Sequence, residues 1–202
     1  INSFTFCVIF IRILLYLYYT QKRGNVKMRR ATKILSQIVE AKKDKAMLTV
    51  SQIMEAVNNR GEPRKVQVTN VTPLIGVKSL SVRGQAMGEK LYPVVATFYN
   101  VDYSLEKDDA HPLRVVVEEG RTAWMQPISQ TNNPVQVRCQ CPDYRHTYAH
   151  WNKGQKVLAG RAFPHYERKT AHMPERNPNH VPGVCKHLVG LFERLKRDRI
   201  LS

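Results

Sequence analysis

The chain has 202 residues, 43% hydrophobic and 24% charged, a balance that excludes a disordered chain and allows one well-packed domain with a small appendage. Four cysteines are too few for a disulfide scaffold, and a sparse, paired set reads as metal binding in a reducing compartment. With 32 Lys and Arg against 16 Asp and Glu, the net charge of +16 points to an anionic partner, nucleic acid or an acidic subunit, or to a merely solvated basic surface.

Residues 1–27 stand apart. Ser3 to Tyr19 is almost wholly apolar, interrupted by Arg12 and followed by Lys22, Arg23 and Lys27. It is short for a membrane span, carries a charge in mid-run, and lacks the basic start and small-residue cleavage site of a signal peptide. "QKRGN" is compatible with translated ribosome-binding purines ahead of Met28. The expectation is an untranslated leader, with the protein running from Met28 to Ser202. A hydrophobic membrane anchor and a piece of a longer chain are the alternatives, and membrane is not an expected partner.

Residues 28–63 form a helical segment. Ile34, Leu35, Ile38 and Val39 recur at helix spacing until "AKKDK" breaks the stripe. A second helix starts at Thr49, where Thr49 and Gln52 have capping-box spacing ahead of Val50, Ile53, Met54 and Val57. Residues 64–134 read as a β-rich body. "RKVQVTNVTPL", "VKSLSVRG", "YPVVATFYNVDY" and "LRVVVEEG" set β-branched and aromatic residues between Gly, Pro and Asn breaks, with "YSLEKDDAHP" as a hairpin loop. The adjacent carboxylates Asp108, Asp109, Glu118 and Glu119 point to opposite faces of a strand and read as solvated charges.

Residues 135–202 carry the chemistry. The strand "PVQVRCQC" ends on Cys139 and Cys141, and "GVCKHL" opens the last helix with Cys185 and His187. At i and i+2 the first two thiols lie on one side of the strand, and the helix entrance favours a thiolate at Cys185. Three thiolates and one imidazole make a closed tetrahedral complement for a single structural Zn²⁺, with no open position for a substrate. Buried core cysteines, or a strained Cys139–Cys141 redox pair, are the bland readings. His146 and His150, four apart, suit either a second metal or a wet helix face, and one of His165, His172 or His180 is an alternative fourth ligand.

CxC followed at a distance by CxH resembles the SWIM-type zinc finger, a ββα module of DNA- or protein-binding chains. The resemblance covers Val135 to Leu195 and implies Cys139, Cys141, Cys185 and His187 as the ligands. The inserted loop 142–184 exceeds the usual gap. Its ending in "NP…PGVCKHL" is similar to SWIM-bearing structural proteins of tailed bacteriophages. Within the insert, "PDYRHTYAHWNKGQK" predicts a short helix with Tyr144, Tyr148 and Trp151 on one face. In the closing amphipathic helix Val184, Leu188, Leu191 and Leu195 form one stripe. Lys186, Arg194, Lys196, Arg197 and Arg199 are candidates for contact with phosphates or an acidic subunit.

No phosphate-binding Gly loop, HExxH or GxSxG pattern is present, and "CPDY" does not complete a zinc-deaminase motif. The expectation is an α+β protein that is not an enzyme: N-terminal helices, an antiparallel β body and a zinc finger with a long insertion. Its partners would be protein subunits of an assembly or nucleic acid, not a small-molecule substrate. Its place would be the cytoplasm of a host cell or the virion.

Overall fold

The computed structural model describes residues 47–58, 65–164 and 175–202; the expected helix after Met28 and the leader lie outside them. Ala46–Ser202 forms one compact unit. Its first element is α1 (Val50–Asn58), capped as the sequence suggests: the Gln52 side chain accepts from the Thr49 amide at 2.9 Å, the Gln half of a capping box. Val50 and Ile53 are buried.

Four strands then build the main sheet: β1 (Val68–Gly76), β2 (Ser79–Ala86), β3 (Tyr92–Tyr99) and β7 (Val135–Cys139), antiparallel throughout in the order β1-β2-β3-β7. Strand alternation sets their register. Leu80, Val82 and Ala86 on β2 lie opposite Phe98, Ala96 and Tyr92 on β3, and all six are buried. On β7, Val135, Val137 and Cys139 continue that face opposite Phe98, Ala96 and Val94. Cys139 therefore points into the core for the same reason its valine neighbours do.

A smaller sheet has the order β4-β6-β5, made of β4 (Tyr103–Ser104), β5 (Leu113–Val116) and β6 (Thr122–Met125). Two expectations need correction here. The segment "TAWM" is a strand that the sequence reading passed over. It lies between β4 and β5, so the residues from Tyr103 to Pro112 link two non-adjacent strands and are not a hairpin loop. Glu118 stands in a short 3₁₀ turn (Glu118–Gly120), and Asp108, Asp109 and Glu118 are exposed, consistent with solvated charges.

The closing helix α4 (Lys186–Arg197) covers the main sheet. Leu188, Leu191, Phe192 and Leu195 are buried, each contributing about 1.5–3 kcal/mol by leaving water. Gly190 is required for the approach, since a Cβ there would stand 2.6 Å from the Val66 carbonyl oxygen. Past the helix, the Ile128 amide donates to the Ile200 carbonyl and the Ile128 carbonyl accepts from the Ser202 amide, both at 2.8 Å, which pins the end of the chain to the body. No helix among the described residues is long and apolar enough to cross a membrane.

The insert opens with two helices, α2 (Pro142–Thr147) and α3 (Ala149–Gly154), parted at Tyr148. Tyr144 and Tyr148 are buried, while Trp151 is half-buried and stacks on His180 at 4.3 Å. The returning segment runs along β7, whose outer edge is closed by Val157–Ala159 and by Leu48. Two buried asparagines tie the ends of the insert together. Asn152 donates to the Tyr144 hydroxyl (3.0 Å) and the Gly183 carbonyl (2.9 Å), and accepts from the Gly183 amide (2.9 Å). Asn177 donates to the carbonyls of Thr147 (3.1 Å) and Val181 (2.8 Å).

Replacing Asn152 by Ala leaves buried partners unsatisfied at Gly183 and Tyr144. Urea unfolding is expected to report a loss of about 2–4 kcal/mol. A loss within about 0.5 kcal/mol would show that the insert is held by other contacts.

Candidate metal centre

The four residues singled out by spacing converge. The sulfurs of Cys139, Cys141 and Cys185 and a ring nitrogen of His187 lie within 4.8 Å of one another, and all four residues are buried. A tetrahedral Zn²⁺ with Zn–S of ~2.3 Å and Zn–N of ~2.05 Å places sulfurs ~3.8 Å apart and sulfur to nitrogen ~3.6 Å. His187 Nδ1 stands 3.9 Å from both the Cys139 and the Cys185 sulfur, close to that figure. Nδ1 is thus the inward nitrogen. The donor set and its spacing fit a metal ion of zinc's size and ligand preference.

Three elements place the four candidate ligands. β7 delivers Cys139 through strand alternation, and α4 delivers His187 from its first turn, with Cys185 as its N-cap. Cys141 is the N-cap of α2, where its sulfur accepts from the Tyr144 amide at 3.3 Å ahead of Pro142 at the first helical position. This corrects the expectation for Cys185: although it sits at a helix entrance, its sulfur takes no capping hydrogen bond. The thiol that accepts a helix-entrance amide is two helices earlier, at Cys141. In space β3, β7 and α4 form a ββα arrangement around the cluster.

The thiols divide unequally. Cys141 is drawn well below the ordinary thiol range by hydrogen bonds from Cys139 and Cys185. Cys139 is pushed up to about 12 by its hydrogen bond to Cys141, and burial pushes Cys185 up further. Ionisation is thereby favoured at one sulfur of the cluster and opposed at the other two. Burial also raises the phenol of Tyr144, which donates to the Val137 carbonyl at 2.8 Å behind the cluster.

His187 has an outer face as well. Its Nε2 is buried with no hydrogen-bond partner among the described residues, and its ring tilts against Tyr92 with centroids 4.9 Å apart. A Cβ on Gly88 would come within 2.9 Å of Nε2 and 3.0 Å of the Tyr92 ring. Gly88, in the turn between β2 and β3, is a site residue the sequence reading did not find. A glycine in a turn signals only backbone freedom.

The remaining candidates lie elsewhere. His180 stands 3.1 Å from Glu175 and stacks on Trp151, so it is not the fourth ligand; His165 and His172 lie outside the described residues. His146 and His150 are exposed, and among the described residues no second group of metal-binding side chains accompanies them. Lys186, Lys196, Arg197 and Arg199 are exposed. Arg194 is half-buried and pairs with Asp198 at 2.8 Å. Comparison of the chain with protein-family models, curated proteins and solved structures finds no match.

Two predictions follow from this geometry. Gly88→Ala is expected to weaken metal binding roughly tenfold by tilting the imidazole, read by competition with a chromophoric chelator. Unchanged affinity would show that His187 has room to move. Loading a divalent metal near neutral pH is expected to release about two protons, from Cys139 and Cys185. Apparent affinity then falls as pH falls, by up to about a hundredfold per unit, because protons compete with the metal for sulfur. An indicator dye in weak buffer reads the release, and no release would mean the thiols are already ionised.

Proposed function

We propose that this chain is a non-enzymatic zinc-binding protein, a SWIM-type finger built into a β body, with a structural or assembly role in a tailed-phage particle. The observation that carries the zinc reading is the convergence of Cys139, Cys141, Cys185 and His187 in one buried cluster. Soft thiolate donors with one imidazole favour Zn²⁺ over oxygen-seeking ions. A fourth protein ligand fills the position where a catalytic zinc would hold water, which supports a structural role. The tailed-phage setting draws its support from the resemblance of the insert and its "PGVCKHL" ending. The partners would then be neighbouring subunits, in the host cytoplasm during assembly or in the virion.

A second reading is nucleic-acid binding through α4. It is favoured by the exposure of Lys186, Lys196, Arg197 and Arg199 along and just beyond one helix. Salt separates the two. Phosphate contacts weaken steeply from low to moderate salt, whereas packing through apolar and backbone contacts does not.

The test of the zinc reading is elemental mass spectrometry on the full chain beside Cys139→Ser and His187→Ala. The expected result is one zinc per native chain, lost in both variants with the cooperative unfolding transition. Structural zinc contributes on the order of 10 kcal/mol of folding free energy. A folded, metal-free protein would overturn the reading.

A further inference from the structure

A second site lies on the insert and shares no residue with the cysteine cluster. α2, α3 and the segment 158–164 enclose a cavity of about 140 Å³. Its floor is apolar, with Ala149 and Leu158 buried beneath Phe163. Its wall is basic: Arg145 and His146 come from α2, and His150 and Lys153 from α3. The spacing 145, 149, 153 and 146, 150 keeps these residues on one face despite the break at Tyr148. No carboxylate lines the cavity among the described residues.

Positive charge is also held close by. The Arg138 guanidinium lies 3.9 Å from the Phe163 ring centroid, fixed there by hydrogen bonds to the carbonyls of Ala159 and Arg161. Arg145 approaches the same ring at 5.4 Å. Two guanidinium groups on one ring repel each other, and among the described residues no carboxylate pairs with either. An anion in the cavity relieves that repulsion. The volume decides its size, since pockets for drug-sized ligands run to roughly 300–1,000 Å³. This one fits a single oxyanion with its water, not a nucleotide.

We propose that this cavity seats a phosphate group of a nucleic-acid strand. Arg145 and Lys153 supply the charge, and Phe163 holds the guanidinium groups in place. The net charge of +16 favours a polyanion over a lone ion as the source. The proposal deepens the nucleic-acid reading but moves the contact from α4 to the insert, and it does not depend on which metal fills the cluster.

The experiment is fluorescence anisotropy on the full chain with a labelled single strand of about 20 nucleotides, metal content being measured on each sample. The pair Arg145→Gln with Lys153→Gln is expected to weaken binding at least about tenfold. It should also lower the slope of log affinity against log salt by about 0.7, the figure for one lost phosphate contact on a single strand. Lys196→Gln with Arg197→Gln should leave affinity within about twofold. Should the first pair lose metal, Lys153→Glu alone, at an exposed position, repeats the test with the same expected direction. The proposal is overturned if the insert variants bind like the parent, or if the α4 pair accounts for the loss. It is equally overturned if no strand binds while inorganic phosphate, at matched ionic strength, shifts the Arg145 and Lys153 side-chain NMR signals, because the source would then be a free oxyanion. Equal competition by polyglutamate would overturn the preference for phosphate.

Discussion

Three sulfurs and an imidazole share a volume from which water is excluded, and the second half of the chain is organised around that constraint. In such a place a second negative charge is prohibitive without a cation. Hydrogen bonds between the sulfurs draw Cys141 down and push Cys139 up, and burial pushes Cys185 up. A divalent cation held by these residues would reverse the balance by turning repelling thiolates into ligands. The cluster is then worth most where the surrounding packing is complete, and the packing is complete only when β7, α2 and α4 all arrive.

The supporting structure follows from this. β7 lies at one side of the main sheet, and its outer hydrogen bonds go to Leu48 and the 157–159 segment instead of to another strand. Such an edge needs fixing along its length. Cys139 fixes the far end to α4, and the buried stripe of α4 fixes the helix to the face of the sheet. The Tyr144 hydroxyl ties α2 back to Val137, two residues before the first ligand. Metal ligands, apolar stripe and buried polar groups act on the same three elements.

Much of this was legible in the sequence because it is periodic or local. Alternation in β2, β3 and β7 marks the inward face, the Thr49 and Gln52 pair marks a helix start, and CxC with CxH marks the cluster. What escaped is set by tertiary partners. "TAWM" is too short and too close to Pro127 to announce a strand; β6 owes its conformation to neighbours on both sides. Asn152 and Asn177 carry polar side chains that suit a wet surface, and only the return of the chain at Gly183 and Val181 buries their amides. The thiolate assignment failed for a local reason. Both Cys141 and Cys185 precede helices, but only at Cys141 does the amide three residues on reach the sulfur.

The paired asparagines bear on how long the insert is allowed to be. Residues 142–184 separate the second ligand from the third, yet Asn152 and Asn177 fasten both ends of that span near the cluster. With the ends tied, only the stretch between them pays loop-closure entropy, which rises by about 0.6 kcal/mol for each doubling of length. Ligand geometry and gap length are thereby uncoupled. The span between Asn152 and Asn177 can therefore be lengthened or shortened at almost no thermodynamic penalty, whereas the contacts that fasten its two ends cannot be given up at so small a cost.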